Sequence, residues 1–280
     1  MDTSVLPKKA DKPGERTSLK LDTLKPDPGL PRGYLSKSAI EMYLRCPKQF
    51  EFHYILGLSS PPGVAMVEGS SHGEALNLNN LHFIDHGENL EEEVVVEKFC
   101  DEFSDRSKEI PAVEWAKADE DKDSVIKRGK LLLPTYFKNF GDKIKPIAVE
   151  RKIEVDMGGV PVLGFIDVEL ENSVEDYKVV SRCYSQGDAD SDLQLTIYSK
   201  ASKKKKVGFV CLTKTKIPQA VHISAERTKG DYAAADALVA SVSDAIKKGA
   251  FPMANPKETF PCSKKFCGFW HLCRGKHLGR

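Results

Sequence analysis

The sequence predicts an α/β protein, and three observations predict it. Residues 147 to 180 alternate and turn like a three-stranded antiparallel meander. Before the meander, long stretches carry apolar residues at helical spacing. After it, a helical run from about Asp192 to Ala201 leads into two more strand-like runs, Val207 to Leu212 and Ala220 to Ser224.

The 280 residues are enough for one large domain or two small ones. A formal net charge of +1 excludes a basic field over the whole molecule, so any nucleic-acid surface is local. No apolar run approaches the ~20 residues that span a bilayer, and the N-terminus lacks the apolar core of a secretory signal. The expectation is therefore a cytoplasmic protein with no membrane partner. In that compartment its seven cysteines stay reduced or bind metal.

Residues 1–33, rich in proline and without apolar periodicity, read as a disordered or extended tail, and the ordered domain runs from 34 to 280. Ser36 or Ser38 can cap a first helix that carries Ile40, Tyr43 and Leu44 on one face. Pro47 suits the first turn of a second helix, Lys48 to Leu56, which Gly57 stops. Glu68 to Leu76 reads as a loop entering a helix, with His72 near the helix start. Glu88 to Ile110 and Asp121 to Phe140 read as long amphipathic helices, the second containing Pro134.

In the meander, Ile147, Val149, Arg151, Ile153 and Val155 share one face, with Glu150 on the other, and Gly158-Gly159 supplies the first turn. Ser181 to Asp190 reads as a polar loop. On the helix after it, Gln194 and Tyr198 share a face. The run Lys203 to Lys206 is solvated, at a helix end where cations suit the dipole. A last helix begins near Gly230.

The chemistry lies where the apolar pattern is interrupted. Asp167 sits in an apolar strand, and Asp176 and Lys178 are two apart on the next, so they point the same way. Charges on a largely apolar strand must be paired or bind something. Two carboxylates can hold a hard divalent cation beside a phosphodiester, with the lysine orienting or deprotonating the attacking water. A structural Asp–Lys pair is the plainer explanation of the dipeptide spacing alone.

Cysteine forms the second constellation. Cys262-x4-Cys267-x5-Cys273 is dense for a reduced protein and suits zinc or an iron–sulfur cluster. A fourth ligand must come from elsewhere. Cys46 leads, and His271 or His277 could complete a zinc site instead.

Together these residues resemble the PD-(D/E)XK nuclease superfamily, in its RecB-like exonuclease branch, which includes CRISPR-associated and phage exonucleases. The matching pieces are Leu35-Ser36-x-Ser38 through Cys46-Pro47-x-x-Phe50, Tyr54-x-x-Gly57, Gly69 with His72, Gly164-Phe165-Ile166-Asp167, Asp176-Tyr177-Lys178, Gln194-x-x-x-Tyr198 and the terminal cysteines.

The resemblance implies a restriction-endonuclease-like core, a central mixed β-sheet flanked by helices. It implies Mg²⁺ or Mn²⁺ held by His72, Asp167 and Asp176, with Lys178 catalytic and Glu150 a further candidate for the metal. Gln194 and Tyr198 would face DNA. Cys46, Cys262, Cys267 and Cys273 would hold a 4Fe–4S cluster, with Zn²⁺ as the alternative, stapling the two ends of the domain. The cysteine spacing departs from the family's commoner x2 and x5, and Asp176 stands where many relatives carry glutamate. The implied activity is metal-dependent DNA exonuclease in recombination, repair or processing, alongside a recombination or annealing protein. The sequence lacks a phosphate-binding Gly-x4-Gly-Lys loop, which favours a phage or CRISPR type over a fused helicase–nuclease. The competing readings are a cluster-stabilised DNA-binding protein without turnover and a zinc-stabilised endonuclease.

Overall fold

Ser36 caps the first helix, α1 (Lys37–Arg45), its hydroxyl accepting the Ala39 N–H at 3.2 Å. The structure, a computed structural model, describes residues 19–258 and 262–279; residues 1–18 of the expected tail lie outside the described residues. Pro47 opens α2 (Pro47–Phe50), which widens into a π-helical turn over Glu51–Ile55 and ends before Gly57 at φ +68.

The stretch 68–76 departs from expectation. Its glycines and serines suggest a loop, yet it lies inside α3 (Val64–His86). Val64, Val67, Ala75 and Leu76 are buried there, so tertiary packing outweighs weak local propensity. Then follow α4 (Glu92–Arg106), the unanticipated α5 (Ala112–Ala118), and α6 (Lys122–Phe140), which Asp121 caps.

The meander forms as β1 (Pro146–Asp156), β2 (Pro161–Leu170) and β3 (Ser173–Val180), each antiparallel to the next. Half of the expected polar loop is a short helix, α7 (Gln186–Ser191), closed by a Ser185–Asp188 capping box. After α8 (Leu193–Ser202), β4 (Lys206–Thr213) lies parallel to β3, and β5 (Gln219–Glu226) closes the sheet antiparallel to β4. The order is β1-β2-β3-β4-β5. A parallel pair needs a crossover, and α7 and α8 supply it. The long α9 (Lys229–Lys247) and short α10 (Arg274–Leu278) complete the chain.

Helices cover both faces, so β4 is buried on both. Phe209 and Cys211 pack with residues of α1, α8 and α9, while Val210 and Leu212 pack with α3, α4 and α6. The segment 19–33 has neither helix nor strand but is docked. Glu154 on the edge strand β1 accepts the N–H groups of Asp22, Thr23 and Leu24 at 2.7, 2.8 and 3.2 Å, and Leu30 is buried. Covering an edge strand in this way blocks stray pairing.

One irregularity sets up the site. Ile166 and Leu170 would share a face in a regular strand, yet Ile166 packs on the α1/α8/α9 side and Leu170 on the α3/α4/α6 side. The pleat therefore reverses between them. The β1–β2 register passes from Arg151↔Ile166 to Val149↔Val168 and leaves out Glu150 opposite Asp167. Glu150 has φ +46, a left-handed conformation uncommon outside glycine.

Candidate active site

Asp167 lies opposite the left-handed Glu150, and Asp176 lies where β2 and β3 part. The ladder between these strands ends at Val168↔Glu175. Beyond it, Asp167 Oδ2 accepts the Tyr177 N–H at 3.4 Å, replacing the missing backbone partner. Burial, then the neighbouring Asp176 carboxylate, pushes the Asp167 pKa well above its usual value.

Asp176 is 1% exposed and ion-paired with Lys178, and its Oδ1 has no hydrogen-bond partner. Lys178 Nζ also reaches Gln194 Oε1 at 3.2 Å, and Gln194 Nε2 donates to the Tyr198 hydroxyl at 2.7 Å. Burial pulls the Lys178 pKa down and the aspartates push it up; the aspartates win, at about 12. As an ammonium, Lys178 is suited to donate and to offset negative charge.

Gln194 and Tyr198 are 9% and 4% exposed. Both side chains are turned inward in the free protein, and Gln194 links Tyr198 to Lys178. Helix α8 is set in turn by Asp192, which accepts the Leu195 N–H, and by the buried Arg227, which donates to Thr196, Ala189 O and Asp192 O.

His72, on α3, is 1% exposed. Its Nδ1 lies 2.9 Å from the Glu68 carbonyl oxygen, which can only accept, so Nδ1 carries the proton. The lone pair of Nε2 is then free, buried and without a partner. Burial holds the imidazole neutral, lowering its pKa to about 4. A neutral histidine fixed through one nitrogen is the form that binds metals.

His72, Asp167 and Glu150 line one cleft of about 230 Å3, together with Gly69, Gly73 and Asn77. Burial, then Glu74, raises the Glu150 pKa. Asp176 and Lys178 belong to the other side of β3, toward α8, and meet this cleft through Asp167. Among the described residues, no group of three or more His, Cys, Asp and Glu side chains is drawn in closely enough to hold a metal ion.

Sequence reasoning missed Glu68, Arg128 and Lys214. Glu68 is fully buried behind His72, and Arg128 Nε and Nη2 grip it at 2.7 and 2.9 Å while Lys214 lies at 3.1 Å. The three come from α3, α6 and the end of β4, and no local pattern links them.

At the far end, Cys46, Cys262, Cys267 and Cys273 line one small cavity with Phe52, Phe269 and Trp270. Burial, then the neighbouring thiols, raises the pKa of Cys267 and of Cys273.

Asp167→Asn is expected to stabilise the metal-free protein. A carboxyl whose folded pKa is raised penalises the native state only once the pH exceeds its unfolded value of 3.8. Every tenfold by which folding weakens the acid then costs about 1.4 kcal/mol. The gain in melting temperature in EDTA should be present near about pH 8 and vanish near about pH 4; equal gains at both would refute the argument.

A mixed sheet between helices, with an Asp…Asp-x-Lys hairpin at its parting strands, defines a nuclease core. A model of the PD-(D/E)XK nuclease superfamily matches residues 34–274, and the chain belongs to that superfamily. A solved structure from Eubacterium rectale, described as a "Putative exonuclease", shares the fold with a TM-score of 0.56, at 12% identity over 86% of this chain and 88% of that one. No curated protein matches the sequence. No helix among the described residues is long and apolar enough to cross a membrane.

Proposed function

We propose that the protein is a metal-dependent DNA exonuclease of the RecB-like branch. The observation that carries this reading is the buried Asp176–Lys178 pair beside Asp167, with the free Nε2 of His72 on the same cleft as Asp167. The donor set suits a hard divalent cation: unpartnered carboxylate oxygens and one neutral imidazole. Mg²⁺ or Mn²⁺ would be held by Asp167, Asp176 and His72, with Glu150 beside them. Such a cation polarises the phosphodiester and lowers the pKa of its bound water.

The chain's own residues do the rest. Lys178, kept charged by Asp176, donates toward the phosphate oxygens as negative charge grows on them. Gln194 and Tyr198 fix the rotamer of Lys178. Backbone recognition predicts little sequence preference and a steep salt dependence.

The four thiols around one cavity support a structural cluster joining the N-terminal helices to the C-terminal segment. A single zinc ion would need its four ligands in close contact. A 4Fe–4S cluster would take all four thiolates, and zinc is the alternative; visible absorbance after anaerobic purification separates the two. Cys273→Ala should lower both the iron content after anaerobic purification and the melting temperature; unchanged iron and unchanged melting would refute the staple.

The activity is tested with end-labelled linear DNA and closed circular DNA in Mg²⁺ or Mn²⁺. Degradation of linear DNA with intact circles is expected. Cleaved circles would overturn the exonuclease assignment, and no cleavage of either would overturn the nuclease reading.

A further inference from the structure

Two glycines in the interior of α3 have no structural reason to be glycine. Gly69 and Gly73 lie one turn apart, and a Cβ at either would meet nothing within 4 Å. Neither has the positive φ that side chains resist. Gly129 on α6 shows the contrast, since a Cβ there would fall 1.9 Å from the Phe99 ring. Glycine is the least favourable residue but proline inside a helix, so alanine would suit α3 better at both positions. Their bare backbone leaves the space beside this stretch of α3 open.

Both glycines line the cleft of Asp167 and Glu150, which is also lined by His72, whose Nε2 is buried and without a partner. We infer that Gly69 and Gly73 are substrate-contact residues: the sugar–phosphate backbone of the strand being cut packs directly against the bare backbone of α3. This rests on the nuclease reading. The bare helix surface lets a phosphate come within reach of Asp167 and His72, which a branched side chain at residue 73 would prevent. The cleft is lined by the carboxyl groups of Glu74, Glu150 and Asp167 and by no lysine or arginine, so the strand should settle there only when divalent cations accompany it.

The test measures binding of a fluorescently labelled DNA oligonucleotide in Ca²⁺, together with melting temperature. It compares wild type, Gly73→Ala, Gly73→Leu and Asp85→Leu, the last placing the same side chain further along α3. Gly73→Leu should weaken binding at least about tenfold while its melting temperature rises by about 2 °C. Gly73→Ala should fall between, and Asp85→Leu should bind as wild type. Wild-type affinity in Gly73→Leu, or a loss of affinity accompanied by a fall in melting temperature, overturns the inference while leaving the nuclease reading intact. If wild type neither binds nor cuts DNA, both fall.

Discussion

Lys178→Ala is expected to reduce DNA cleavage by about 10²–10³-fold, the usual effect of removing one preorganised donor from a developing oxyanion. The variant also strips Asp176, only 1% exposed, of its counter-charge. Breaking a buried pair costs about 3–5 kcal/mol. The lysine side chain is 22% exposed, so the loss should lie at the low end of that range. The stability and activity effects separate in a double variant. Lys178→Ala with Asp176→Ala removes the orphaned carboxylate and should recover melting temperature without recovering cleavage. Retained cleavage in Lys178→Ala would remove Lys178 from the mechanism.

The part of the site legible in the sequence was the part carried on one hairpin. Asp167, Asp176 and Lys178 lie within twelve residues, and period-2 alternation was enough to place the last two together. The strands of the meander were legible for the same reason. Alternation also predicts a regular strand through Leu170, but the pleat reverses between Ile166 and Leu170, where the partner strand carries a register shift between Pro146 and Ala148 and the left-handed Glu150.

Helix α3 is hardest to read where its composition is poorest in helix formers, at Gly69 to Gly73. Its helicity comes from contacts on its other side, Val67, Ala75 and Leu76, with distant α4 and α6. The spacing of Gln194 and Tyr198 places them correctly on one helix face, but spacing does not say whether that face meets solvent or the core. Their burial follows from β3 and α8 packing together, which brings Gln194 to Lys178.

Glu68→Ala is expected to be the most destabilising substitution near the site, by about 3–5 kcal/mol, because it leaves the partly buried Arg128 and Lys214 facing an emptied pocket. On a chain of this size that is a fall of roughly 10 °C in melting temperature. Arg128 keeps Glu120, at 2.6 and 3.1 Å, so Lys214 is the charge left most exposed to the loss. Burial raises the Glu68 pKa, but Arg128 and Lys214 outweigh it and hold the carboxyl below 4.5. A depressed folded pKa contributes stability above the unfolded value that is lost as pH falls through the folded one. The gap between wild type and Glu68→Ala should therefore be widest at neutral pH and narrow in acid. Replacing all three charges together, Glu68→Met with Arg128→Met and Lys214→Met, should recover much of the loss, since a buried ionic cluster stabilises little relative to apolar groups of similar volume. His72 tests what the cluster is for. Its anchor is the Glu68 backbone carbonyl, which every one of these variants retains, so its tautomer should survive in a variant that still folds. If the triple variant is stable yet binds Mn²⁺ as wild type does, the cluster serves the fold alone. If it is stable and binds Mn²⁺ more weakly, Glu68, Arg128 and Lys214 hold the α3 segment that presents His72 to the cleft.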